Sequence, residues 1–244
     1  MKRIEVGPAD GVRALLLHGN DLCAEFYRPL AEALATHGLH TTLVTLPGFA
    51  GEAPLPAPSW PAMAAAVRAE LDGTRVLIGH SLGGALAWLV ARQAPPGVER
   101  VVLLEPALLP WRWLADAALE RYRRNVVHGA SDRFERWSGA FHRVADEARY
   151  PRWAIDLYLA SRRTSDRATV DALVAALPAL HPVAPLPQPT CLVRGDASGR
   201  LHGLVHRLLA RRLGARLERL PRAGHWLANE DDAALAERIA RFVR

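Results

Sequence analysis

The chain has 244 residues, half of them hydrophobic, which suits one α/β domain or one domain carrying an insertion, and excludes global disorder. Its net charge of +6 comes from scattered arginines set among acids, as in ERYRR (120–124) and RFERW (133–137), with Lys2 the only lysine. No basic stripe or RNA-binding motif accompanies the charge, and no apolar run approaches the roughly 18 residues of a membrane span, so neither nucleic acid nor a membrane is expected as partner.

The start, MKRIEVGPADGVRALLLHGN, has too short an apolar stretch and no small-residue cleavage site for a signal peptide, so a cytoplasmic location is expected. RALLLHG (13–19) reads as a buried strand ending in a glycine turn. FYRPLAEALATHG (26–38) is amphipathic at helical spacing and closes at Gly38, and LHTTLVTL (39–46) is again a strand. SWPAMAAAVRAELDG (59–73) opens a helix on Ser59 as N-cap, with Pro61 early in it. RVLIG, ALAWLVARQA and VERVVLLEP (98–106) continue as strand, helix and strand. Strands alternating with helices of this length predict parallel βαβ units, hence a sheet covered on both faces.

The rhythm breaks over 107–185, where helical segments occur without a convincing strand: SDRFERWSGAFHRVA (131–145), YPRWAIDLYLASRR (150–163) and SDRATVDALVAAL (165–177). A proline-rich piece, HPVAPLPQP (181–189), ends the excursion. Alternation resumes with TCLVRG (190–195), LHGLVHRLLARRLG (201–214), ARLERL (215–220) and a last helix from Asn229. The division expected is an α/β core over 1–106 and 186–244 with a helical cap over 107–185, acting as a lid or serving as plain elaboration. WRWLADAALERYRR (111–124) sets Trp111 and Trp113 beside arginines, either to line a cleft or to bury the cap, and those arginines would favour an acidic substrate.

GHSLGG (79–84) sits where a strand becomes a helix. Gly79 and Gly83 remove side chains where the two backbones approach, leaving Ser81 exposed at the tip, which is the G-x-S-x-G nucleophile elbow. A serine hydroxyl needs a base, an acid to orient that base, and donors for the oxyanion. His225, in LPRAGHW between the last strand and last helix, is the candidate base.

With His18-Gly19-Asn20 after an early strand, the loop LPGFAGE (46–52), the elbow and AGHW in this order, the chain resembles the α/β-hydrolase superfamily, in particular serine hydrolases with a helical cap. The resemblance implies a mostly parallel sheet with helices on both faces, an all-helical cap inserted between strands, no cofactor, and an oxyanion hole from the backbone N–H groups of Leu82 and Asn20. Thr45 and Ala50 stand where the family often has an acid and another glycine. Its common acid position holds Ser198, which cannot be an anion, and Asp196 lies only one residue beyond Gly195. The family's other acid position, at the end of the strand after the elbow helix, holds Glu105. A carboxylate following the apolar run VVLL is costly unless paired, so Glu105 is favoured as acid and Asp196 is the alternative. Haloalkane dehalogenases are similar at this point, but their nucleophile is aspartate and Ser81 argues against that reaction.

The function expected is hydrolysis of a carboxylic ester or related small acyl substrate through an acyl-enzyme, by a monomer or homodimer. Thioester, C–C or lactone hydrolysis and lyase chemistry reuse the same frame, and a non-catalytic ligand-binding protein is the rival of another class. His202 and His206 stand one helical turn apart, as zinc ligands can, but no third ligand is visible and no metal is expected. Cys23 and Cys191 also lack metal-ligand spacing.

Overall fold

The structure, a computed structural model, describes residues 1–113, 116–117, 150–182, 184–198 and 200–244. Apolar runs form its centre: β2 (Val12–Leu17), β4 (Val76–His80), β5 (Arg100–Leu104) and β6 (Thr190–Gly195) are buried almost throughout, as strands covered on both faces must be. With β1 (Arg3–Val6), β3 (Leu39–Val44) and β7 (Arg216–Leu220) they make a seven-stranded sheet in the order β1-β3-β2-β4-β5-β6-β7. Among the described strands only β1 runs antiparallel, pairing Arg3 with Val44. The sequence reading did not include β1, whose four residues alternate between exposed and half-buried and carry no apolar run.

Side chains alternate across each strand, so each face gathers its own core. Leu15 and Leu17 point to the face covered by α2 (Trp60–Arg68) and α3 (Leu82–Ala91). Leu16 and Ile78 point to the face covered by α1 (Arg28–Ala35) and the C-terminal helix. Ser59 caps α2 as expected, accepting from the Ala62 N–H at 3.3 Å. The C-terminal helix begins later than expected: Asp231 caps it, and Asn229 lies outside it at φ 68°.

Within 107–185, α4 (Arg152–Thr164) joins the second core through Ala154, Ile155 and Tyr158. Helix α5 (Arg167–Ala176), capped by Asp166, joins the first through Val170, Leu173 and Val174. The expected helix over 131–145 and Arg121, Arg123 and Arg124 lie outside the described residues. Contacts fasten α5 to the loop after β3 and to α2: the Asp166 N–H donates to the Gly48 carbonyl at 2.7 Å, and the Trp60 indole to the Leu173 carbonyl at 2.9 Å. Helix α6 (Arg200–Leu213) follows β6, and α7 (Asp232–Val243) closes the chain. In this arrangement the carboxyl ends of β2, β4, β5, β6 and β7 share one edge of the sheet, where ligands bind in open α/β folds.

Candidate active site

The turn after β4 is tight because two glycines allow it. A Cβ on Gly79 would lie 2.2 Å from the Gly83 carbonyl oxygen, and one on Gly83 would lie 2.4 Å from those of both Leu17 and His18. Helix α3 can therefore start directly against β2 and β4. Ser81 absorbs the turn at φ 52° and ψ −113°, a conformation that costs a non-glycine residue about 1–3 kcal/mol. Its N–H donates to the Leu104 carbonyl at 2.9 Å and its carbonyl accepts from the Ala107 N–H at 2.8 Å, joining this turn to the one after β5. Leu82 opens α3, so its N–H belongs to the first helical turn, which has no intrahelical acceptors.

That second turn carries Glu105, at φ 43° and 1% exposed. Its Oε1 accepts from the Gly195 N–H at 2.7 Å, which fixes the carboxylate and offsets its burial. Its Oε2 lies 3.5 Å from Nδ1 of His225. The other ring nitrogen, Nε2, stands 3.1 Å from Ser81 Oγ. The carboxylate and hydroxyl thus flank the imidazole on opposite sides, an order that favours Nδ1–H and leaves Nε2 as acceptor for the Ser81 proton. Burial, with the neighbouring His202, holds the His225 imidazole below the ordinary histidine value, so it is a neutral base at pH 7.

Asp196 lies elsewhere in its ion pairs, 3.6 Å from Arg194 and 3.8 Å from Arg219. Asn20 lies in the turn after β2, where its side-chain Nδ2 donates to Asp21 at 3.0 Å. Asp21 in turn pairs with Arg167 at the start of α5. Thr45 is buried and its hydroxyl accepts from the Ala24 N–H at 3.1 Å, while Ala50 takes the left-handed turn at φ 47° without glycine. Burial pushes the Cys191 thiol up to about 12 and raises Cys23 as well, so neither supplies a thiolate at neutral pH.

The surrounding polar contacts include residues that the sequence reading did not single out. His18 donates from Nδ1 to the Gly19 carbonyl at 2.7 Å and accepts at Nε2 from the Leu46 N–H at 2.9 Å, locking the turn that carries Asn20. The Tyr27 hydroxyl accepts from the Gly19 N–H at 3.2 Å and donates to His80 Nδ1 at 2.6 Å. His80 Nε2 then donates to the His225 carbonyl at 2.8 Å. Glu230 accepts from the Gly224 N–H at 2.8 Å and from the Tyr150 hydroxyl at 2.9 Å, holding the other side of the histidine loop. His18 and His80 sit within the quoted motifs, but Tyr27 and Glu230 had no local signal.

The absence of a visible third ligand beside His202 and His206 is corrected by the tertiary structure. Glu105 Oε2 lies 3.4 Å from His202 Nε2 and 3.9 Å from His206 Nδ1. The partner comes from a different strand end, 97 and 101 residues away in sequence, beyond the reach of a spacing argument.

A profile described as "Alpha/beta hydrolase family" matches residues 14–238. The chain is 29% identical over 248 residues to the pimeloyl-[acyl-carrier protein] methyl ester esterase of Aromatoleum aromaticum, covering 93% of this chain and 97% of that protein. It is 24% identical over 247 residues to the 2-succinyl-6-hydroxy-2,4-cyclohexadiene-1-carboxylate synthase of Salmonella paratyphi B, covering 94% and 93%. Among solved structures, the enol-lactonase from Burkholderia xenovorans LB400 superposes with a TM-score of 0.77 at 20% identity, over 99% of this chain and 95% of that one.

Proposed function

The chain belongs to the alpha/beta hydrolase family, and from that premise we propose that it is a cofactor-independent serine hydrolase acting on a carboxylic ester or related small acyl compound. Ser81 Oγ attacks the carbonyl carbon while His225 Nε2 takes its proton. Glu105 orients the imidazole and stabilises it while it is charged. The backbone N–H groups of Leu82 and Asn20 receive the oxyanion, each worth on the order of 3 kcal/mol in the transition state. His225 then returns its proton to the departing alcohol, leaving an acyl-serine. A water activated by the same histidine attacks that ester, and Ser81 regains its proton as the acid leaves.

One observation carries the reading: a serine held at positive φ on the elbow, with its Oγ 3.1 Å from a neutral imidazole nitrogen. A turn with an incidental serine would have no reason to sustain that backbone cost. The likeness to a named methyl ester esterase supports starting with methyl and p-nitrophenyl esters. The test is labelling by a fluorophosphonate probe at mildly alkaline pH, with the intact chain compared against Ser81→Ala and His225→Ala. Labelling confined to the intact chain is expected. Equal labelling of Ser81→Ala, or none of a folded intact chain, would remove the basis for the proposal.

A further inference from the structure

We propose that Glu105, His202 and His206 form a binding site for a zinc-class divalent metal, and that occupancy draws the Glu105 carboxylate away from His225. The first half stands on the side chains alone; the second rests on the hydrolase reading above. Three observations support the site.

The donor set and its placement come first. His202 and His206 are four residues apart on α6, so they share one face of the helix, and that face meets the end of β5. Donor atoms of the two imidazoles and the carboxylate lie within 4.8 Å of one another. Tetrahedral ligands at ~2.0–2.1 Å from zinc sit ~3.3–3.4 Å apart. The His202 Nε2 to Glu105 Oε2 separation of 3.4 Å already meets that spacing. The 3.9 Å from His206 Nδ1 must close by roughly half an ångström.

A buried orphan is the second observation. His206 is 1% exposed, and its Nδ1 has no hydrogen-bond partner among the described residues. A buried polar atom left unsatisfied is costly, and a metal would relieve it.

Charge and access are the third. Arg194 reaches toward α6 and would repel a cation, but Asp196 pairs with it at 3.6 Å. Glu105 supplies the pocket with the carboxylate charge that favours a cation. The His202 side chain is 34% exposed, which gives a metal a way in from solvent. Because Oε1 stays with the Gly195 N–H, a metal must bind through Oε2, the oxygen that faces His225. One lone-pair region would then serve two positive partners, and the metal holds it more strongly.

The experiment uses the full chain stripped with a chelator, and zinc or cobalt as the probe. Binding is read by calorimetric titration of zinc and by the visible d–d bands of tetrahedral cobalt. The expected result is one equivalent per chain, unchanged in Ser81→Ala and weakened at least about tenfold in His202→Gln and His206→Gln. His202 is half-exposed, so its variant keeps the test decisive if the His206 variant does not fold. Absence of stoichiometric binding, or binding that His202→Gln leaves intact, would overturn the site. The coupling is read separately: zinc should slow fluorophosphonate labelling of the intact chain at least tenfold, with recovery on chelation, while a labelling rate indifferent to bound zinc would overturn it. Failure of the hydrolase reading is told apart because the metal-free chain would then not label, whereas the titration reads the site without turnover.

Discussion

Glu105 Oε2 faces His225 Nδ1 at 3.5 Å, whereas Asp196 faces two arginines. The two carboxylates considered from sequence therefore differ in what they touch, and their substitution should separate them. Glu105→Gln is nearly isosteric and keeps an acceptor for the Gly195 N–H, but it loses the charge that stabilises an imidazolium. We expect kcat on a p-nitrophenyl ester to fall on the order of 1,000- to 10,000-fold. Asp196→Asn should change kcat less than about threefold, because a partly exposed ion pair contributes about 0–1 kcal/mol. The reverse ranking, measured on folded variants, would reassign the acid.

The Tyr27–His80 relay makes a different prediction. It runs from the oxyanion turn at Gly19, through two buried side chains, to the main chain of His225. Tyr27→Phe removes the one hydroxyl that both accepts from Gly19 and donates to His80, so two buried hydrogen bonds are lost. Urea unfolding should show a loss of about 1–3 kcal/mol. If the relay positions the histidine loop, kcat should also fall, with KM little changed. A variant as active as the parent but less stable would restrict the relay to a structural role.

The contrast between these two networks shows what the sequence made legible. Strand and helix order followed from apolar runs and caps, because both are local: VVLL is buried wherever it sits, and Ser59 needs only Ala62 to cap α2. The glycines of GHSLGG likewise announced a close approach that the backbone clearances explain. Strand β1 is only four residues long, and the alternation of Ile4 and Val6 with Arg3 and Glu5 is too short a pattern to mark a strand by itself. The sequence favours Glu105 over Asp196 only through the cost of a carboxylate after VVLL, because the choice itself depends on which way two turns face. The histidine pair on α6 was legible, but its carboxylate partner arrives through sheet order, which no spacing within α6 encodes.

Burial and His202 depress His225, which sets the pH dependence of the free enzyme. The base works only when neutral, so kcat/KM loses activity as pH falls through the histidine's own titration. With that value below the ordinary 6.5, activity should persist undiminished at pH 6.5 and decline only at lower pH. Removing His202 takes away a second contribution of the same sign. His202→Gln should therefore move the acid limb of the metal-free enzyme upward. A limb at or above 6.5 in the intact chain would contradict the environment described for His225.

His18 carries the last prediction, on stability rather than rate. It is fully buried and neutral, and burial lowers it to about 4. In the unfolded chain it titrates near 6.5, so below that pH the unfolded state binds a proton that the native state refuses. Its contribution is whole above pH 6.5 and is lost progressively as pH falls to about 4, amounting to about 3 kcal/mol. Asp232 acts in the opposite sense: raised to about 6 by burial, it favours the native state at acid pH. The intact chain's profile sums both, so the readout is the difference between it and His18→Gln. At neutral pH the variant should be the less stable, having lost the contacts to Gly19 and Leu46. That gap should narrow by about 3 kcal/mol between pH 6.5 and 4, because only the parent pays for excluding a proton from the imidazole. Urea melts at several pH values give the difference directly, and a gap independent of pH would mean that His18 is protonated in the folded chain.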